Sequence, residues 1–394
     1  MPRTANVEAV LDTAWVAAAF TATDVIEATG LSRSTAIALC DELIELGWLA
    51  ELDDSRQSGA EYRKGRPARR YALRADAGLL VGVDAGAHSI TTVVTDLRGR
   101  EVARSQRVVD PDAEAEERIA AIDAAIDDAL VGAGGTPVLC VAIGVPAPVD
   151  ADGRSPDRDA FWQRMNPGLA ELVRARGCPV IVDNDANVAA LAEGAVGAGV
   201  GAHSYITMVA GERLGAGYVI DGRLVRGRGQ AGEMHLLSLV EGVGNPHGVA
   251  AVLRDWGRER RESGSLNADS PLAQLPVEDI DAPAVFAAAE AGDPDALGLL
   301  RRMADRLARI AAVLGGLLDV ERIVFAGALA PSMPPLLELT TTKLADYLNA
   351  DVPELIASTL GADIVAQGAI TSAITYVRTH ALSIDLSSAG PPGP

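Results

Sequence analysis

The sequence predicts an α/β chain in which an N-terminal winged helix-turn-helix precedes a larger two-lobed body. Three observations carry this. Residues 6–49 hold three short helical patterns joined by turns. A polar, basic loop between two apolar strand patterns follows them. From about Gly78 onward strands and helices alternate, and the strand–turn–strand unit at 79–109 partly recurs at 204–224, as two related lobes facing a cleft would require.

With 394 residues, 48% hydrophobic and 22% charged, the chain can bury two or three cores. The opening "MPRTANVEAV" lacks an apolar signal-type run, and no stretch approaches the ~20 apolar residues of a membrane span, so a cytoplasmic protein without a membrane partner is expected. Cys40, Cys140 and Cys178 lie too far apart for a disulfide framework or a metal-ligand spacing and read as buried thiols. A net charge of -20 excludes nucleic-acid binding by the surface at large, since phosphates would be repelled. Any such contact needs a local basic patch. One runs from Arg56 to Arg74, with Arg56, Arg63, Lys64, Arg66, Arg69, Arg70 and Arg74 against the single acid Glu61. By itself a charge run of this kind is also consistent with a solvated face.

The head is expected over residues 1–75. In "NVEAVLDTAWVAAAF" apolar positions repeat near helical period at Val7, Val10, Leu11, Ala14 and Ala18. "TATDVIEATG" offers Thr21 or Thr23 as an N-cap and Gly30 as a stop. In "GLSRSTAIALCDELIELGWL" Ser32 can cap, Ala36, Leu39, Leu43 and Leu46 form one stripe, and Gly47 ends the helix. Two helices joined by a short Gly-containing turn are the helix-turn-helix pattern, and its second helix enters the major groove by its N-terminus. Ser32, Arg33, Ser34 and Thr35 are the expected contacts, with Arg33 the candidate for base readout. A small helical bundle with an ordinary cap at Ser32 is the plain alternative. The strand, loop and strand ending at Tyr71, Ala72 and Leu73 read as a wing, whose Arg63, Lys64, Arg66 and Arg69 would meet phosphates. Gly65-Arg66-Pro67 adds an arginine on a rigid corner.

The body is expected over 76–380, with a disordered tail at 381–394. Residues 112–131 read as a helix, "VLCVAIGVPAPVD" as a buried strand running into a Pro-rich loop, and "CPVIVDNDANVAALAEG" as a strand breaking into a helix. Arg301, Arg302, Arg306 and Arg309 fall near the polar side of a long amphipathic helix and are expected to face solvent or a subunit.

Taken in order, "GLSRSTAIALCDELIELGWL", "GRPARRYAL", "VGVDAG", "GVPAPVD", "VDNDANVAALAE", "GAGYVIDGRLVRG" with "AGEMH", and "IVFAGALA" resemble the ROK family (repressor, open reading frame, kinase), specifically its transcriptional-regulator branch. The resemblance covers about Val7 to Tyr376 and implies a sugar-kinase/actin-like (ribonuclease H-like) body. It implies that Asn184 and Asp185 bind sugar, with Asp185 at the position of the kinase base, a role that suits a carboxylate at a strand end. Asp183, Asn184 and Asp185 also read as a helix-capping cluster, and the two readings are compatible. The resemblance further implies that Glu233, His235 and Asn166 line the sugar side, although His235 stands one position closer to Glu233 than the family pattern has it.

The nucleotide side departs from the family pattern. Gly86 is followed by Ala87 and His88 where the kinases have glycine and threonine, the second loop reads Gly211-Glu212-Arg213, and Ala328 follows Gly327. Side chains crowd a backbone nest that works when bare, and a carboxylate at ~4 Å from phosphate opposes it by about 4 kcal/mol at an effective dielectric near 20. Arg213 is positioned to offset Glu212. Asp84 is expected to remain as a structural turn residue. The loop "LVEGVGNPHGVAAVL" lacks the cysteines with which the family often binds zinc, and a family sugar-contacting Glu falls near Ala251. No metal and no cofactor are expected. The expected protein is therefore a non-catalytic regulator, most simply a repressor. Its partners would be operator DNA, a sugar or sugar-derivative effector and a second copy in a homodimer or homotetramer. An ATP-dependent hexose kinase with a fused DNA head, or a ligand-free body serving only as a dimer interface, are the alternatives.

Overall fold

The computed structural model describes residues 3–52, 68–174, 176–348, 352–384 and 386. Most of the expected wing loop, including Arg56, Arg63, Lys64 and Arg66, and the end of the chain from 387 lie outside the described residues.

The N-terminal part consists of α1 (Arg3–Val16), β1 (Phe20–Thr21), α2 (Ala22–Thr29), α3 (Arg33–Glu45), β2 (Leu49–Leu52) and β3 (Arg70–Leu73). Thr21, and not Thr23, caps α2 in a reciprocal box with Asp24, and Gly30 closes the helix in the left-handed region at φ 71°. Ser32 then caps α3 by accepting from the Thr35 amide at 3.2 Å. β3 lies between β1 and β2 in a small antiparallel sheet that registers Leu49 with Leu73 and Phe20 with Tyr71.

The first lobe comprises β4 (Leu79–Ala85), β5 (Ser89–Thr95), β6 (Glu101–Val108), α4 (Ala115–Leu130), β7 (Val138–Val145), α5 (Ala160–Met165), α6 (Leu169–Arg174), β8 (Val180–Asn184) and α7 (Asp185–Val196). Its sheet runs β6-β5-β4-β7-β8, antiparallel on the β5–β6 side and parallel from β4 to β8. The second lobe holds β9 (Tyr205–Ala210), β10 (Leu214–Ile220), β11 (Arg223–Val225), α8 (Val249–Glu262), α9 (Pro271–Gln274), α10 (Ala282–Glu290), α11 (Pro294–Leu318), β12 (Arg322–Ala326), α12 (Pro334–Leu344) and β13 (Glu354–Ala357), after which α13 (Ile364–Thr379) returns to lie on the first-lobe sheet. Here the order is β11-β10-β9-β12-β13, so both sheets combine an antiparallel hairpin side with parallel strands. Asp221 and Gly222, both at positive φ, make the two-residue turn that the Asp-Gly pair predicted.

α7 and α13 cross between the lobes. Gly368 makes the crossing possible, because a Cβ there would stand 1.8 Å from the Val188 carbonyl oxygen. Val188, Ala189, Ala192, Ile364 and Val365 pack at this junction with Ala326 of β12. α13 also covers β4, where Gly82 faces the Ala366 carbonyl and Ile370.

The far end of α13 belongs to the N-terminal part. One continuous core joins Val10, Leu43, Trp48 and Tyr71 to Leu80, Cys140, Ile370, Ala373 and Val377, so the boundary expected at 75/76 does not separate two cores. Arg98 donates to the carbonyls of Ala14, Trp15 and Ala17 at 2.8–3.0 Å, satisfying the C-terminal carbonyls of α1. Residues expected to begin a disordered tail are instead packed. Ala381–Ser383 form a 3-10 turn, the fully buried Trp48 donates its indole N–H to the carbonyls of Ala381 and Ile384 at 3.1 and 3.2 Å, and Leu386 is 2% exposed. The polar composition that predicted disorder starts a few residues later than Ala381.

The arginines of α11 also divide differently than expected. Arg301 and Arg302 are exposed, but Arg306 is 2% exposed and donates to the carbonyls of Val243, Asn245 and His247, holding the loop before α8. Three carbonyl acceptors offset the loss of hydration that otherwise bars a buried guanidinium. No helix among the described residues is long and apolar enough to cross a membrane. Replacement of Arg98 by alanine should destabilise the N-terminal part by about 1–3 kcal/mol, because three helix-end carbonyls lose a charged donor. Urea titration followed by tryptophan fluorescence reads this, and an unchanged midpoint would contradict the clamp.

Candidate functional site

Strand β8 ends at Asn184 and α7 begins at Asp185, so the sequence "DND" lies at the mouth between the lobes. Asn184 is the N-cap of α7. Its Oδ1 accepts from the amides of Ala186 and Asn187 at 3.0 and 3.2 Å, and its Nδ2 donates to Ala147 O at 3.1 Å and hydrogen-bonds the Asp185 carboxylate. The residue thereby orients Asp185. Asp183, 4% exposed, turns the other way and accepts from the Asn184 amide and from Asn187 Nδ2, both at 2.8 Å.

Asp185 sits on the cleft floor with Asp84 from the end of β4. Burial pushes both carboxyls up from 3.8 to about 7; repulsion from Asp185 adds to the rise at Asp84, and repulsion from Glu233 to that at Asp185, where the Ala186 amide opposes it. Glu233 enters from the second lobe, opposite Gly215 of β10. Burial raises its pKa, opposed by Arg213 and His235 and reinforced by Asp159. Asp185, Glu233 and His235 are thus close enough to act on one another electrostatically. His235 is exposed on a 3-10 turn, Met234–Leu239.

Asn166 differs from expectation. It is 3% exposed, both hydrogens of its amide go to Gly153 O and Ser155 Oγ at 3.1 and 3.0 Å, and it shapes the wall of the loop instead of presenting a free donor. Asp84 is more than a turn residue, since it is electrostatically tied to Asp185. Arg118, unremarked in the sequence, is 2% exposed on α4 and donates to the carbonyls of Ala85, Gly86 and Met165 while facing Asp84. Its burial lowers its pKa to about 10. The signal was available: Arg118 stands one helical turn before Ile122 on the apolar face.

The two loops that depart from the family's nucleotide pattern, at Gly86 and at Gly211-Glu212, are each held by neighbouring elements. Ala87 packs on the first-lobe core, and the carbonyl of Gly86 is held from beneath by Arg118. Gly211 and Glu212 accept from the Ala250 and Gly248 amides at 3.2 and 3.0 Å, pinning this loop to the start of α8. Glu212 is not offset by Arg213, as the sequence suggested, but by Arg254 at 2.5 Å. Arg213 reaches across the cleft and lies 4.6 Å from the centroid of the Phe161 ring.

On the N-terminal part, Arg33 and Ser34 are exposed at the first turn of α3, and the hydroxyls of Ser32, Ser34 and Thr35 contact one another. Arg69, expected to meet phosphate, is instead bound to Asp41 and Glu51, each at 2.7 Å. Those acids lie on α3 and β2, where the apolar pattern drew attention away from them.

The raised carboxyl pKa values have a calculable consequence. Between about pH 4 and about pH 7 the folded protein holds protons on Asp84 and Asp185 that the unfolded chain has lost, so their contribution to stability falls as pH rises through that window and is level above it. Asp185→Asn should raise Tm relative to the parent at about pH 8 and leave it nearly unchanged at about pH 4. An equal effect at both pH values would contradict the placement of these groups.

A ROK family model matches residues 80–375. Among relatives, a glucokinase of Halalkalibacterium halodurans is 32% identical over 47% of this chain, and a xylose repressor of Caldicellulosiruptor bescii is 27% identical over 54% of it. The chain spans 60% and 53% of the lengths of those two relatives. The crystal structure of a ROK family transcriptional regulator, a homolog of the E. coli MLC protein, superposes with a TM-score of 0.77 at 20% identity and covers 98% of both chains, which shows a shared fold. With two lobes joined by the α7–α13 crossing, and with the family match spanning both of them, the chain belongs to the ROK family.

Proposed function

We propose that this protein is a DNA-binding transcriptional regulator, of the repressor type, that senses a sugar or sugar derivative in a cleft no longer built for phosphoryl transfer. The observation that carries this reading is the contrast between the two sides of the opening. Asp185 and Glu233 remain as partly buried acceptors aimed at a common space, as hydroxyl recognition requires. On the opposite side Ala87 packs on the first-lobe core, and the Gly211-Glu212 loop, pinned to α8, carries a carboxylate paired with Arg254.

The N-terminal part supports the other half. Its α2–turn–α3 unit beside a three-stranded sheet supports the reading of a winged helix-turn-helix, in which Arg33, exposed at the start of α3, would meet a major groove. The phosphate-facing charge falls to Arg33 and to the basic residues of the wing loop, because Arg69 is already paired. A second copy would present two such helices to an inverted repeat. The existence of both repressors and glucokinases among its relatives accords with a regulator derived from a kinase body.

One observation favours the alternative of a hexose kinase with a fused DNA head: a carboxyl titrating near 7 at Asp185 is suited to accept a hydroxyl proton. Incubation with labelled ATP and a panel of hexoses separates the two. The regulator reading predicts no phosphorylated sugar above the level of an Asp185→Asn control, and turnover abolished by that substitution would overturn it. On the DNA side, Arg33→Ala should cost about 1–3 kcal/mol at one base position, read by gel shift on DNA selected from a random pool. Equal binding by parent and variant would remove α3 from the groove.

A further inference from the structure

We infer that Arg226 is a positioning residue, and that the segment from Arg226 to Gln230 is a strap holding the second lobe shut on the first over the candidate site. The inference deepens the reading of the cleft as an effector site. It stands on four contacts that cross from one lobe to the other or set the site from the strap.

Arg226 follows β11 in the second lobe and is 46% exposed, while Asp183, at the end of β8 in the first lobe, has a side chain only 5% exposed. The Arg226 Nε and Nη2 both lie 2.8 Å from Asp183 Oδ2. The other oxygen, Oδ1, is the one that takes the Asn184 amide and Asn187 Nδ2. One buried carboxylate therefore fixes the start of α7, and with it Asp185, while its remaining charge is answered from the opposite lobe. A carboxylate so buried is costly without its cation, because the low-dielectric surroundings cannot replace the lost hydration.

The strap then folds back from the same arginine. The Arg226 carbonyl accepts from the amides of Gly229 and Ala231 at 2.9 and 3.4 Å, and the Gln230 carbonyl accepts from the Glu233 amide at 3.3 Å. Glu233 is thus placed by the segment that begins at Arg226. Gly229, at φ 88°, presses on the first lobe so closely that a Cβ would stand 2.4 Å from the Val149 carbonyl oxygen. Gln230 Oε1 accepts from Arg158 Nη2 of the first lobe at 2.5 Å. Seated on one side and tied on the other, the strap links the two carboxyls of the cleft, Asp185 through Asp183 and Glu233 through the backbone. Its outer face is exposed, so it can lift without unfolding either sheet.

Amide hydrogen exchange on the full chain without any sugar tests the strap directly. Arg226→Met should speed exchange about 10-fold or more at the amides of residues 184–187 and 229–233, while α11 keeps its parental rate. Arg226→Lys should fall between, and Arg226→Met combined with Asp183→Asn should exchange no faster than Arg226→Met alone, as coupled partners do. Gly229→Ala, which leaves every charge in place, should raise exchange at 229–233 by crowding Val149. Parental rates in Arg226→Met at both segments, or additive effects in the double variant, would overturn the inference. Titration with glucose and with N-acetylglucosamine, read by Tm, keeps the two levels apart. Faster exchange with no hexose response in the parent would leave the strap standing and remove the sugar reading. A hexose response undiminished by Arg226→Met would remove the positioning role of Arg226.

Discussion

The crossing of α7 and α13 is the constraint on which the rest of the molecule depends. Backbone meets backbone at Gly368 and Val188, a distance no side chain would permit, and the two helices then share small and branched residues with both lobes. α7 begins at Asp185, so whatever shifts this crossing shifts the candidate site. α13 runs 16 residues, about 24 Å at 1.5 Å per residue, from that crossing into the core of the N-terminal part. Its far end meets α1 through the Arg378–Asp12 pair and leads into the turn that receives the Trp48 indole. A packed helix of that length transmits a displacement and does not absorb it.

Electrostatics in the cleft follow from the same geometry. Three carboxyls from two lobes converge where water is partly excluded, and burial sets their raised pKa values more than mutual repulsion does. The arginines around them are each engaged in a different manner. Arg118 holds carbonyls under the β4–β5 turn, Arg226 answers Asp183, Arg254 answers Glu212, and Arg213 lies on an aromatic face.

Much of this was legible in the sequence, and the reasons are local. Thr21, Gly30 and Ser32 announced their helix ends because capping depends on neighbours three or four residues away. The Asp-Gly turn and the period of α4 were readable for the same reason. The "DND" cluster gave both its cap and its carboxyl. What escaped depends on partners distant in the chain. Arg306 and Arg118 looked like ordinary helix arginines, since the carbonyls that allow their burial lie 59 to 63 residues before Arg306, and 32 or 33 residues before and 47 after Arg118. Arg69 read as a phosphate contact until Asp41 and Glu51 were placed beside it. The strap was invisible because Asp183 and Arg226 are 43 residues apart. Polar composition likewise hid the packed turn after Thr379, whose stability comes from Trp48.

Joined by α13, the cleft and the N-terminal part would form one thermodynamic system. Fluorescence anisotropy on DNA selected by the protein, with and without a saturating concentration of any sugar that shifts its Tm, tests it most directly. Coupling through α13 predicts a change in DNA affinity of about 5-fold or more, matched by an equal change in sugar affinity when DNA is bound. Identical DNA affinity at zero and saturating sugar would contradict it.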